Sequence, residues 1–113
     1  MTEARRVRVL FLLRVPQERV AEFLSTYERI RYQVAAVDGH LFDQVCRSVT
    51  DPEQWMITSE WRSLAHFEAW ERSSGHRELA GPLRACATDE QSLRFAIWAE
   101  TGSNALADAP RPL

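Results

Sequence analysis

Histidine and tryptophan are concentrated in one stretch of the chain, SEWRSLAHFEAWERSSGH, which runs from Ser59 to His76. It contains two of the three histidines, His66 and His76, and two of the four tryptophans, Trp61 and Trp70. A neutral imidazole accepts a proton near cellular pH, and flat aromatic rings pack well against a flat ligand. These residue types therefore favour proton transfer on an aromatic molecule.

The helical period ranks the two histidines of this stretch as candidate bases. His76 shares a predicted helix stripe with Leu79 and Leu83, so its ring is expected to point towards the core. The alternative is that this imidazole only bonds backbone at a helix start. His66 lies about 100° around its helix from the apolar stripe, so it ranks second and is expected at the margin of a pocket.

Other side chains are candidates for holding a ligand. Trp61, Trp70 and Phe67 could form flat walls around a ligand, and the alternative is that they only pack the core. Arg94 lies in the middle of a predicted strand, where a guanidinium could pair with a phenolate or enolate. His40 follows a turn and is expected to face solvent.

Composition excludes several classes of function. The net charge of -2 argues against nucleic acid as a partner, because phosphate binding needs a basic surface. The histidines have no metal-ligand spacing, and Cys46 and Cys86 lack a CxxC spacing, so both are expected to be free thiols. No apolar run approaches the roughly 20 residues of a membrane span, which predicts a cytoplasmic protein.

Hydrophobic periodicity predicts the elements that must position these residues. In order, they are a strand over Val7–Val15, a long helix from Pro16 to the Asp38-Gly39 turn, strands over Leu41–Val49 and Trp55–Trp61, a helix over Leu64–Arg72, a helical segment over His76–Ala87 broken or kinked at Gly81-Pro82, and a strand over Gln91–Glu100. Residues 1–100 are expected to form one domain and residues 101–113 a flexible tail.

This order of elements predicts a ferredoxin-like βαββαβ fold, with a four-stranded antiparallel sheet and helices on one face. Apolar residues also fall on the other face of the sheet, at Leu10 and Leu12, and Trp98 is expected there too. A single copy would leave that face bare, so we expect a symmetric homodimer.

Several motifs, in a fixed order, resemble the antibiotic biosynthesis monooxygenase family. They are the strand that ends at Trp61, the step into a helix at Ser63, the pair Phe67 and Trp70, SSGH at 73–76, and the DGH turn after the first helix. The resemblance covers about residues 7–100. DPEQWMITSEW, AWERSSGH and PLRACATDEQSLRF are similar to the tetracenomycin-type anthrone oxygenases, small cofactor-independent monooxygenases of aromatic polyketide pathways.

The resemblance implies a dimeric α/β barrel with a pocket between sheet and helices in each protomer. It also implies that O₂ oxidises a phenolic polycycle to a quinone without flavin, haem or metal. Such a substrate has an acidic ring position, and its anion can itself reduce O₂. The protein then needs only to supply a base, stabilise the anion, hold the rings and exclude water.

The chain departs from the pattern of this family at three positions. Some anthrone oxygenases carry an asparagine four residues before the strand-ending tryptophan and a tyrosine six residues after it. Those positions are Ile57 and Phe67 here. A haem-degrading branch uses a histidine ten residues after the helix tryptophan, where this chain has Ala80, so haem is not expected.

The sequence thus predicts a monooxygenase of aromatic polyketide biosynthesis that uses no cofactor, with O₂ as co-substrate. His76, or else His66, removes the proton, Trp61 and Trp70 hold the rings, and an arginine such as Arg94 stabilises the anion. The expected partners are an aromatic polyketide and a second copy of the chain. Two alternatives remain, a polyketide cyclase on the same scaffold and a non-catalytic barrel that binds a hydrophobic metabolite.

Overall fold

A computed structural model describes residues 5–102 of the chain, so most of the predicted tail lies outside the described residues. The elements are β1 (Val7–Arg14), a 3₁₀ turn (Gln17–Arg19), α1 (Val20–Ala35), β2 (His40–Arg47), β3 (Gln54–Trp61), α2 (Leu64–Glu71), α3 (Ser74–Arg84) and β4 (Asp89–Ala96). All sheet neighbours are antiparallel, in the order β2-β3-β1-β4. The predicted ferredoxin-like fold is confirmed.

The helix-covered face of the sheet carries the core, and the core has two parts. Alternation along β1 places Val7, Val9 and Leu13 on this face, all buried. One cluster forms around Leu13, Phe23 and Trp55 under α1. The other forms where Val7, Val9, Trp61 and Phe67 meet under α2. The two clusters leave room between them for a cavity.

Residue Gly39 is required where the chain turns from α1 into β2. Its φ of 87° lies in the left-handed region, which costs a residue with a Cβ free energy. A Cβ added there would also lie 2.4 Å from the Cβ of His66. The predicted glycine turn is present, and it brings the start of β2 directly against α2.

Every predicted element differs from the observed one at one or both boundaries, and three of them illustrate the differences. The first helix begins with a separate 3₁₀ turn, and regular α-helix starts only at Val20. Strand β2 begins one residue earlier than predicted, at His40, and ends at Arg47. Strand β4 runs from Asp89 to Ala96, so Trp98 lies beyond it.

Of the break or kink predicted at Gly81-Pro82, the break is wrong, because α3 runs through Pro82 without interruption. Proline removes one backbone donor and crowds the carbonyl one turn earlier. Here the missing donor is the one that would bond the Glu78 carbonyl. Leu83 is buried beside it, so packing of the helix face outweighs the local cost. The side chain of Ser73 caps the helix start, its Oγ accepting from the His76 backbone N–H at 3.1 Å.

The opposite face of the sheet is open in the single chain and mixes apolar and charged groups. Phe95 and the neighbouring Trp98 are 53% and 77% exposed. Glu60 is buried under two guanidinium groups, from Arg6 at 2.5 Å and Arg8 at 2.7 Å. The homodimer remains a prediction for this face. Within residues 5–102, no helix is both long and apolar enough to cross a bilayer.

Candidate active site between the sheet and the helices

A cavity of about 120 Å³ lies between the covered face of the sheet and the three helices, lined by residues of both core clusters. Its wall is mostly aliphatic and aromatic, and all four strands contribute to it. Its polar lining residues include Arg31, Glu71 and Arg84, and it holds two histidines on different elements, which name its two ends. His76 marks one end, and His40 with Asp43 marks the other.

At the His76 end, the imidazole lines the cavity, as the sequence predicted. The ring lies edge to face against Trp70, with centroids 5.3 Å apart. Its backbone N–H bonds Ser73, but the ring nitrogens have no hydrogen-bond partner among the described residues. The helix start is therefore held by Ser73 and by the His76 backbone, and the imidazole remains available to a bound molecule.

Burial lowers the pKa of His76 below its ordinary value, because the apolar surroundings disfavour the cation. The positive charge of Arg84 lowers the pKa further, and so does that of Arg77, while the carboxylate of Glu71 opposes them. At neutral pH the ring is therefore neutral and can accept a proton, which is the state that a general base requires.

The aromatic wall lies between these two ends. Trp61 is 1% exposed, and its indole N–H donates to Ser59 Oγ at 3.0 Å. Phe67 contacts it edge to face at 5.5 Å, and Trp70 continues the wall towards His76. All three predicted ring-holding residues line the cavity. A flat polycyclic molecule would find apolar and aromatic surface along this side.

At the His40 end, the carboxylate of Asp43 forms hydrogen bonds with two side chains. Asp43 Oδ2 lies 2.8 Å from His40 Nε2, and Asp43 Oδ1 accepts a hydrogen bond from the Tyr27 hydroxyl. The His40 side chain is 3% exposed, and its ring packs edge to face on Trp61 at 5.2 Å. The expectation that His40 faces solvent is wrong.

The carboxylate of Asp43 and the hydroxyl of Tyr27 both have shifted pKa values. Burial alone would raise the pKa of Asp43, but hydrogen bonds from His40 and Tyr27 outweigh it and hold that pKa below its usual value. Burial, together with the bond to Asp43, raises the pKa of Tyr27. Asp43 is therefore ionised at neutral pH, and Tyr27 stays a neutral donor.

The sequence analysis missed this group because a β-bulge brings it together. In a regular strand, residues three apart point to opposite faces. The pairing of β2 with β3 shifts between His40 and Phe42, where one extra residue, Leu41, enters β2. The bulge turns His40 and Asp43 to the same face. The sequence contains the pair as H-x-x-D, but not the bulge.

Two predicted site residues lie away from the cavity wall. His66 Nδ1 is 2.7 Å from Ser63 Oγ, and the same hydroxyl accepts the His66 backbone N–H. Its ring therefore belongs to the α2 cap and to the contact with Gly39. Arg94 pairs with Glu71, a cavity residue, and lies over the Phe67 ring at 5.0 Å. It reaches the site only through these neighbours.

The positions where the chain departs from the family pattern are in the cavity. Ile57, Phe67 and Ala80 all line it, and none has a polar side chain or a metal ligand. Over residues 5–102, no three histidine, cysteine or acidic side chains are grouped so that they could hold a metal ion. The two cysteines are free thiols.

The fold and the apolar cavity define a class, and comparison with known proteins gives its name. Residues 6–81 match the antibiotic biosynthesis monooxygenase family, so the chain belongs to that family.

Relatives from Streptomyces resemble this chain in sequence. The chain is 49% identical over 96 residues to a 42.8 kDa protein in the whiE locus of Streptomyces coelicolor, a match over 85% of the chain and 24% of that protein. It is 43% identical over 97 residues to the polyketide synthase CurD of Streptomyces cyaneus, over 86% of the chain and 26% of the relative. The chain therefore spans about a quarter of the length of the curated relatives it matches.

Solved structures share the fold at lower identity. The cofactor-independent oxygenase SnoaB of Streptomyces nogalater has a TM-score of 0.77 at 20% identity, over 88% of this chain and all of that one. The haem-degrader MhuD of Mycobacterium tuberculosis has a TM-score of 0.72 at 24% identity, over 85% of this chain and 99% of that one. One architecture thus occurs in a cofactor-independent oxygenase and in a haem-degrader.

Proposed function

We propose that this chain is a cofactor-independent monooxygenase that oxidises an anthrone- or naphthacenone-like polyketide to a quinone with O₂. The observation that carries the proposal is the His76 imidazole, which has no hydrogen-bond partner among the described residues and lines an apolar, aromatic cavity. Relatives in Streptomyces, one of them a polyketide synthase, support the class of substrate. The likeness of fold to SnoaB is consistent with it.

In this proposal His76 removes a proton from the acidic ring carbon of the substrate. The lowered pKa keeps the ring neutral before the step. Trp61, Phe67 and Trp70 hold the rings, and the apolar wall keeps water from the anion. Arg84 and Arg31, which both line the cavity, are the cations best placed to stabilise the negative charge.

The anion then supplies two electrons to O₂, and a carbon–oxygen bond forms. Loss of water from the hydroperoxide leaves the carbonyl of the quinone. No group other than O₂ is needed for the electron balance, because the substrate is the reductant. We also propose that the protein acts in the cytoplasm as a homodimer joined through the open sheet face.

The experiment is oxygen uptake with anthrone as the probe, measured beside quinone formation by absorbance. We expect one O₂ consumed per quinone formed, and no quinone under anaerobic conditions. Turnover that persists without O₂ would contradict an oxygenase and favour the cyclase alternative. A Soret shift on adding haem, with haem-dependent turnover, would contradict the cofactor-independent assignment.

A further inference from the structure

A second imidazole in the cavity has no role in the steps proposed so far. His40 enters from the start of β2 and packs on Trp61, while His76 enters from α3 and packs on Trp70. The Nε2 atom of His40 lies 2.8 Å from the carboxylate oxygen Oδ2 of Asp43. Because a carboxylate accepts, Nε2 carries the hydrogen, and Nδ1 is the nitrogen that can exchange a proton with a bound molecule.

A carboxylate lies beside the His40 ring. Asp43 is ionised, so it forms an ion pair with His40 whenever the ring is protonated. The Tyr27 hydroxyl fixes the other oxygen of that carboxylate. Nδ1 has no hydrogen-bond partner among residues 5–102. Within the described part of the chain, no carboxylate is within ion-pair distance of the His76 ring, and burial of that ring disfavours its cation.

The proposed chemistry needs an acid as well as a base. Addition of O₂ to the substrate anion produces a peroxide anion, which is a poor precursor for loss of water until it is protonated. In a cavity that excludes water, this proton has to come from a side chain. One source is protonated His76, and the other is His40, whose protonated ring is paired with Asp43.

Resting on the proposed function, we infer that His40 is a second catalytic residue, which donates its Nδ1 proton to the peroxide oxygen. Asp43 is a positioning residue that fixes the His40 tautomer and balances its charge, and Tyr27 holds Asp43. This division of labour assigns proton removal to one end of the cavity and proton delivery to the other.

The step balances in atoms and electrons. The substrate C–H bond breaks and its proton goes to His76. The remaining electron pair forms the C–O bond as O₂ is reduced to peroxide, and His40 becomes neutral on giving its proton. The proton of the second C–H bond then leaves with the terminal OH group as water, while the O–O bond breaks and the C–H electron pair forms the C=O double bond. Exchange with solvent restores the proton on His40 and removes the one on His76.

The two halves of the reaction can be measured separately on the full chain with anthrone. Anaerobic exchange of the methylene hydrogens with D₂O, followed by NMR, reports proton removal alone. Aerobic formation of anthraquinone reports the whole sequence. For His40→Gln, which keeps a donor towards Asp43 but cannot transfer a proton, we expect exchange close to the wild-type rate. We expect quinone formation to fall by about 100-fold, the scale of general acid catalysis.

Asp43→Asn tests the positioning role with a side chain of the same size. It should give the same split, with exchange kept and quinone formation reduced, by less than in His40→Gln. His76→Ala is the matched opposite and should lose both exchange and quinone formation. Thermal midpoints identify any variant that has not folded. His40→Gln and Asp43→Asn are separate variants, so one still tests the inference if the other does not fold.

Some results would overturn the inference. Folded His40→Gln that forms quinone at the wild-type rate would remove His40 from the reaction. Equal loss of exchange and quinone formation in His40→Gln and Asp43→Asn would make this group structural, or part of the base. If the wild-type chain exchanges anthrone hydrogens but forms no quinone, the proposed function itself fails, and the inference fails with it.

Discussion

The two ends of the cavity hold their histidines in different ways. At one end, His40 is held by hydrogen bonds, through a carboxylate that also binds Tyr27. At the other end, His76 is held by packing on Trp70 and by a backbone cap at Ser73. Hydrogen bonding fixes a tautomer, whereas packing fixes only a position. The opposite roles that we propose for the two imidazoles, proton removal by His76 and proton donation by His40, rest on this difference.

The largest effect is expected when the proposed base, His76, is removed. His76→Ala should reduce turnover of anthrone by about 100-fold or more, the usual contribution of a general base. His66→Ala is the control, because His66 belongs to the α2 cap and alanine keeps the Cβ that rests near Gly39. The steady-state rate of His76→Ala should be far below that of His66→Ala. A larger loss in His66→Ala would reverse the assignment.

The next largest effect concerns Gly39, the residue that precedes His40 at the start of β2. Gly39→Ala should lower the free energy of unfolding by about 2 kcal/mol or more, because φ is positive and the added Cβ meets His66. Gly81→Ala is the control in α3, where an added Cβ meets nothing within 4 Å. It should stabilise the protein by about 0.5–1 kcal/mol. Urea unfolding measures both.

The hydrogen bond from Tyr27 gives a smaller effect at the same end. Tyr27→Phe should lower the free energy of unfolding by about 1.5 kcal/mol, since a buried bond to a charged acceptor is lost. Tyr32→Phe is the control, because Tyr32 is 72% exposed on the same helix. Equal stability of the two variants in urea would mean that the Tyr27 hydroxyl contributes nothing.

The smallest effect is a shift in the pH dependence of kcat, which the pKa of His76 sets in this proposal. The neutral base is the active form, so kcat should fall on the acid side with a midpoint below the ordinary histidine pKa of 6.5. Arg84→Gln removes a nearby positive charge, raises the pKa of His76 and moves that limb to higher pH. Glu71→Gln should move it to lower pH. Shifts in the same direction would contradict this charge arrangement.

The same contrast explains what the sequence could predict. His76 was found because its helix repeats regularly, so spacing alone put it on the stripe of Leu79 and Leu83. The order of elements and the faces of β1 and β3 followed from alternation in the same way. These features depend on local periods that the chain carries in its own residues.

What could not be predicted depends on contacts between distant segments. The bulge at Leu41 is set by the pairing of β2 with β3, and it alone places His40 with Asp43. Pro82 indicates a break by its local chemistry, yet packing of α3 keeps the helix whole. In both cases tertiary interactions outweigh a local rule, and one of the two lies in the site itself.

The division of the core into two clusters has a consequence for how substrates can be found. Because the cavity separates the cluster around Leu13 from the cluster around Trp61, a bound polycycle would join them and act as an additional core side chain. Binding to the folded state alone raises its stability by mass action, by about 2.7 kcal/mol at a hundredfold excess over Kd. A rise in Tm could therefore rank ring systems by fit before any reaction is known.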